Sequence, residues 1–141
     1  MKLFNKFSIA ILFSSVSSMM PLSAAELTIS VTDISNQQGS LFVVLYNSAD
    51  AYNGKGKPLK QSKVKVAKQA HTLVFSDIDA GTYAVKLFHD ENDNGKLDSN
   101  VMGIPNEGYG FSNNAGAFGP ASFKDASFSV TDDSAIGIKL R

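Results

Sequence analysis

A period of two runs through this chain from residue 27 almost to its end, and it restricts the possible folds more than any other feature. Leu27, Ile29 and Val31 alternate with Thr28, Ser30 and Thr32, the signature of a strand with one wet face. Leu41 to Tyr46 is apolar on both faces, as a central strand would be. Val64 and Val66 alternate with lysines, and Leu73 and Phe75 with Thr72 and Ser76. After Asp79-Ala80-Gly81, Tyr83, Val85, Leu87 and His89 share one face. Phe128 with Val130, and Ile136, Ile138 and Leu140, form the last two patterns. Only Ser48 to Tyr52 suits a helical turn.

Seven short strands between residues 26 and 141 predict an all-β, seven-stranded antiparallel β-sandwich of immunoglobulin-like build, with one long Gly-rich loop. The segment Phe75 to Val85 resembles prealbumin and carboxypeptidase-regulatory sandwiches, in which a Gly-Thr-Tyr-x-Val strand follows a tight turn. That likeness implies the fold class alone. Two stacked sheets bury enough Leu, Val, Ile and Phe to hold without disulfides, so the absence of Cys is no objection.

Residues 1–25 read as a cleaved signal peptide. Lys2 and Lys6 give a positive start, Ile9 to Phe13 is a short apolar run, and Ser23-Ala24-Ala25 offers the small residues a signal peptidase inspects. The run is too short to span a bilayer, and no Cys follows it to take a lipid anchor. A single domain, residues 26–141, is therefore expected to be exported to the periplasm or the outside without a membrane anchor. Thirteen Lys and Arg balance thirteen Asp and Glu, and losing Lys2 and Lys6 leaves a net charge near −2. Such a balance does not hold a phosphate backbone, so no nucleic acid is expected. With no Cys and only His71 and His89, thiolate and multi-histidine metal centres are excluded too.

Two segments break the strand rhythm. Asn47 to Gln61, with two glycines, a proline and three lysines, reads as a mobile loop. Asp90 to Pro120 is 31 residues long and carries six of the 11 glycines. Val101, Met102, Ile104, Tyr109, Phe111 and Phe118 suggest that it packs on the sheets as a folded loop.

The chemistry concentrates at the start of that loop. Asp90, Asn92 and Asn94 occupy positions one, three and five of a calcium-loop pattern, Gly95 position six and Asp98 position nine. Lys96 offers its backbone carbonyl at seven, and Leu97 is the inward apolar residue at eight. Alternate residues of a tight turn aim their oxygens at one centre, and calcium takes six to eight hard oxygen ligands. Val101 stands where a bidentate Glu belongs, and a strand leads in where an EF-hand has a helix. About five ligands come from the loop, so Glu107 is expected to complete the shell, with Asp132, Asp133 or water as alternatives. Glu91 and Asp93, at even positions, should face solvent. An acidic turn without metal would carry much the same letters, because Asn94-Gly95 is itself a strong hairpin turn.

The stretch from Phe88 to Asp98, followed by Gly103-Ile104-Pro105-Asn106-Glu107-Gly108-Tyr109-Gly110-Phe111-Ser112-Asn113-Asn114, resembles the signature of a family of exported bacterial proteins catalogued only as a domain of unknown function. The likeness extends over essentially the whole mature chain, through the Gly81 to Val85 strand, Gly119-Pro120 and Phe123. It implies export and carries no activity.

Three uses of the loop compete. A hydrolase or carbohydrate-binding site could draw on His89, Asp98 and Glu107, with Ser112 downstream, but no Gly-x-Ser-x-Gly elbow occurs. A His following a core strand is more simply bonded to a backbone group or a carboxylate. Tyr109, Phe111 and Phe118 have the composition that stacks on sugars or peptides, or that plugs the end of a sandwich. The reading that combines these residues is a non-enzymatic exported module with a calcium-stiffened loop. It would present that loop to a protein or glycan partner in the cell envelope.

Overall fold

The computed structural model describes residues 24–141, so the expected leader lies outside the described residues except for Ala24 and Ala25. Eight strands, two single-turn α-helices and a 3₁₀ turn at Ser112–Asn114 follow in order among the described residues. They are β1 (Ala25–Thr32), β2 (Ser40–Tyr46), α1 (Ala49–Tyr52), β3 (Lys60–Lys65), β4 (His71–Ile78) and β5 (Gly81–Asp90). Then come β6 (Tyr109–Phe111), α2 (Phe123–Ala126), β7 (Phe128–Val130) and β8 (Ser134–Lys139). No helix among the described residues is long and apolar enough to cross a membrane.

The strands form two sheets, one ordered β4-β1-β8 and one ordered β3-β2-β5-β6 with β7 also paired to β5. The period-two pattern decides which side chains go inside. Leu27, Ile29 and Val31 of β1 and Leu41, Val43 and Leu45 of β2 are wholly buried, and they meet Val85, Leu87 and Ile138 in one core. Each such side chain contributes roughly 2 kcal/mol through the apolar surface it removes from water. β2 lies between β3 and β5; Leu41, Val43 and Leu45 on one face enter the core, and on the other Phe42 stacks on Phe88 and Tyr46 packs edge to face with Tyr52.

A second, smaller cluster forms on the opposite face of β5. Tyr52, Ala84, Phe111, Ala121 and Ala126 pack there under α1 and α2. Each helix starts on a serine whose side chain accepts a backbone N–H: Ser48 from Ala51 and Ser122 from Asp125. The segment expected to be a mobile loop therefore holds a capped helical turn and the start of β3.

Two strand expectations need correction. The count is eight, because Tyr109–Phe111 inside the long loop pairs with Lys86–Phe88 of β5. The sheets are also not wholly antiparallel: β1 pairs β8 in parallel, Leu27 opposite Ser134 through Thr32 opposite Lys139. Past β8 the chain crosses between the sheets. Leu140 N–H donates to Thr32 O at 3.0 Å, whereas Arg141 N–H donates to Tyr109 O at 3.0 Å and Arg141 O accepts Tyr109 N–H at 3.2 Å. The two end residues thus tie β1 to β6. On the opposite margin, Lys60 Nζ of β3 donates to Ser76 O of β4 at 2.5 Å.

Candidate metal-binding loop

The loop begins where β5 ends, and the sheet holds its first residue in place. Asp90 pairs with Ser40 of β2 and is fully buried. Gly39 makes that approach possible. It adopts φ of 69°, and a Cβ there would lie 1.9 Å from Asp90 O, a distance that excludes every other residue.

The chain then curls back over its own carboxylate. Asp90 Oδ1 accepts Asn94 N–H at 3.0 Å, and Oδ2 accepts Gly95 N–H at 2.7 Å. Gly95 turns at φ of 81°, the left-handed region that glycine enters without strain. Two Asx-type bonds tighten the turn: Asn92 Oδ1 accepts Asn94 N–H at 3.1 Å and Asn94 Oδ1 accepts Lys96 N–H at 2.9 Å. Asn92 Nδ2 donates to Asp98 Oδ2 at 2.7 Å, and Asn94 Nδ2 donates to both Asp98 oxygens at 3.0 Å. Bonds from Asn94 and Asn92, helped by the Lys96 charge, hold the Asp98 carboxyl below its ordinary value.

Asp90, Asn92, Asn94 and Asp98 are thus assembled on one small loop, and the Lys96 carbonyl belongs to the same turn. Glu107 also reaches it, through the backbone. Its Oε1 accepts Glu91 N–H at 2.9 Å and its Oε2 accepts Asp98 N–H at 2.8 Å, so the side chain joins both ends of the loop. Glu107 is 8% exposed. Among the described residues no three His, Asp or Glu side chains converge as a metal cage. In this geometry the two Asn amides turn their N–H groups toward Asp98.

The even positions behave differently from the expectation. Asp93 leaves the loop centre but does not simply face solvent: Oδ1 accepts Ser40 Oγ–H at 2.7 Å and Oδ2 accepts Lys65 Nζ–H. Lys63 Nζ lies 3.8 Å from the same carboxylate. Lys65 foremost, then Ser40, keep the Asp93 carboxyl below its usual range. Glu91 Oε1 accepts Ser35 Oγ–H at 3.2 Å. These contacts moor the loop to β2 and β3. Alternation around a turn does not reveal them, since the partners lie 28 and 53 positions away.

His89 and Ser112 are each held by backbone partners of their own, while Asp98 and Glu107 lie together at the loop. His89 is fully buried, with Nε2 2.6 Å from Gln38 O. Its Nδ1 has no hydrogen-bond partner among the described residues and lies 3.8 Å from Glu91 Oε1. Ser112 Oγ is buried elsewhere, accepting Val85 N–H at 2.9 Å and donating to Ala126 O. The blander account of His89, a core histidine bonded to a backbone carbonyl, is the one observed.

Beyond Asp98 the long loop divides into two parts. Tyr109 and Phe111 pack edge to face, with ring centroids 6.0 Å apart. Arg141 clasps the following turn, its guanidinium donating to Ala115 and Gly116 carbonyls at 2.5 Å and to Asn114 O at 3.3 Å. The expectation that Val101, Met102, Ile104 and Phe118 also anchor the loop is overturned. Val101 and Phe118 are fully exposed, Met102 is 79% exposed and Ile104 56%. Ile104 and Phe118 line a groove of about 420 Å³ whose other walls include Leu97, Pro105, Tyr109 and Phe111.

Fold and loop together define a small two-sheet β domain with an acidic, glycine-turned loop clamped by a buried glutamate. The chain belongs to the family described as "Uncharacterized protein conserved in bacteria (DUF2141)", whose model matches residues 29–137. No curated protein and no solved structure matches it.

Proposed function

We propose that this chain is an exported, non-enzymatic β-sandwich module of the immunoglobulin or prealbumin type. In this reading the loop of residues 90–98 takes up calcium and stiffens the long loop for binding a partner in the cell envelope. The observation that carries the metal is the environment of Asp90. Its carboxylate is fully buried, and no cationic side chain among the described residues forms an ion pair with it. A buried carboxylate with two N–H donors and no counter-charge is expensive, and a divalent cation supplies what is missing.

The donor set suits calcium: carboxylates from Asp90 and Asp98, amides from Asn92 and Asn94, and the Lys96 carbonyl, all hard oxygens. To serve a metal, the Asn92 and Asn94 amides would give up their Nδ2–H bonds to Asp98 and share with the ion the oxygens that already accept Asn94 and Lys96 N–H. Glu107, already at the loop's two ends, would add a ligand or hold the cage closed.

Thermal melting with and without calcium tests this reading. Extracellular calcium modules bind at roughly 10⁻⁴ to 10⁻³ M, so millimolar ion should add on the order of 1 kcal/mol. Magnesium should do less, since it gives up its water reluctantly. Identical melts in chelator and in excess calcium would remove the site.

A further inference from the structure

His89 keeps one ring nitrogen unmatched in the interior. Its Nε2 lies 2.6 Å from Gln38 O, a group that only accepts, so Nε2 carries the proton and Nδ1 presents a bare lone pair. Nδ1 is buried without a hydrogen-bond partner among the described residues, and at 3.8 Å it faces Glu91 Oε1, a second acceptor. Two acceptors do not satisfy each other. Ser35 Oγ–H donates to Glu91 Oε1 at 3.2 Å and leaves Nδ1 unmet. A buried polar atom in that state calls for a donor from elsewhere.

The pair borders a pocket through which a donor can come. Glu91 is one wall of a cavity of about 250 Å³ whose lining also includes Asp33, Glu107, Gly108 and Leu140. His89 lies directly behind Gly108. Its N–H donates to Gly108 O at 2.7 Å, and a Cβ on Gly108 would stand 3.7 Å from His89 Cβ. The Glu91 side chain is 31% exposed, free enough to swing aside for a small group.

The charge of the pocket selects the kind of donor. Asp33, Glu91 and Glu107 bring three carboxylates, and Arg141 is the one cationic residue in the lining. Its guanidinium is turned to the carbonyls of Asn114, Ala115 and Gly116. A neutral donor would satisfy Nδ1 and leave the negative excess in place. Among the described residues no three such side chains converge on one metal position. An ammonium group asks less of the geometry, because its three N–H donors can each find a separate acceptor.

We propose that this pocket binds a primary ammonium group, which donates to His89 Nδ1 and Glu91 Oε1 and is held by the charge of Asp33 and Glu107. Binding here does not depend on calcium in the neighbouring loop.

Long-range ¹H–¹⁵N spectra of the imidazoles, recorded in chelator on ¹⁵N-labelled protein, test the site. The probes are 1,4-diaminobutane, Nα-acetyl-lysine amide and tetramethylammonium, a cation without N–H. Free His89 is expected as the Nε2–H form, with an Nδ1 signal that shifts on titration with a primary amine and not with tetramethylammonium. A response to the diamine alone identifies a small free amine, and a response to the blocked lysine identifies a side chain. His71 is the internal reference: its Nε2 accepts Ala67 N–H at 3.1 Å, so it is the opposite tautomer and should not move. Glu91→Gln should weaken the amine by about tenfold or more, since one charge-assisted bond is lost. Protons on both ring nitrogens of free His89, no shift with either amine, or an equal shift with tetramethylammonium would each overturn the proposal. Undiminished affinity in Glu91→Gln would overturn the placement of the ammonium between Glu91 and His89.

Discussion

Glu107 holds Asp98 by its backbone, accepting the Asp98 N–H at 2.8 Å, while its other oxygen holds Glu91 N–H at 2.9 Å. One buried carboxylate thereby closes a turn whose ends lie seven positions apart. Removing it leaves two backbone donors without their partner in a half-buried place, which costs about 1–3 kcal/mol for each buried one.

Glu107→Ala should lower stability by about 2 kcal/mol or more in urea unfolding, with Glu107→Gln intermediate because it keeps one acceptor. The same Gln variant should weaken calcium binding, measured by titration calorimetry, far more than Glu91→Gln. Equal affinity in the two variants would place Glu107 outside the metal's environment.

Gly39→Ala should be among the most damaging single-atom additions in the chain. The new Cβ would meet Asp90 O at 1.9 Å from a φ of 69°, so β2 and the head of the loop must separate. A loss of about 3 kcal/mol is expected in chemical denaturation, together with loss of any calcium response.

Acid should loosen the loop through Asp98. Its carboxyl is held low in the folded chain by Asn94 first and Asn92 second. A depressed folded value means that the stabilisation is present above the unfolded value of about 4 and is lost as pH falls through the folded one. Melting followed downward from about pH 5 should show this, and Asn92→Ala with Asn94→Ala should shrink the acid-dependent part.

Tyr52 supplies an alkaline counterpart. It is 2% exposed and donates its hydroxyl to Ala121 O at 3.0 Å. Burial foremost, with Tyr46 and Asp125, pushes its phenol up to about 12. A raised folded value means that stability is complete below the unfolded value of about 10 and is lost as pH climbs toward the folded one. Ultraviolet titration should show one tyrosine ionising last, and Tyr52→Phe should remove that step.

The sequence by itself determined seven of the eight strands and which face of each is inside, because a side-chain period of two is written locally. Leu27, Ile29 and Val31 are buried as their alternation requires, and β2 is central as its two apolar faces require. The order of loop oxygens from Asp90 to Asp98 was equally legible, being a matter of spacing along one turn. Tertiary structure alone decided the rest. The parallel pairing of β1 with β8 and the three-residue β6 depend on partners far along the chain, and neither carries a local signature. The same holds for Asp93, whose place at a turn suggests solvent until folding brings Lys65 and Ser40 beside it. Val101 and Met102 show the converse. Their apolar character predicts burial, but a hairpin closed by Asn100, whose side-chain oxygen accepts the Met102 and Ile104 N–H groups, holds both side chains exposed.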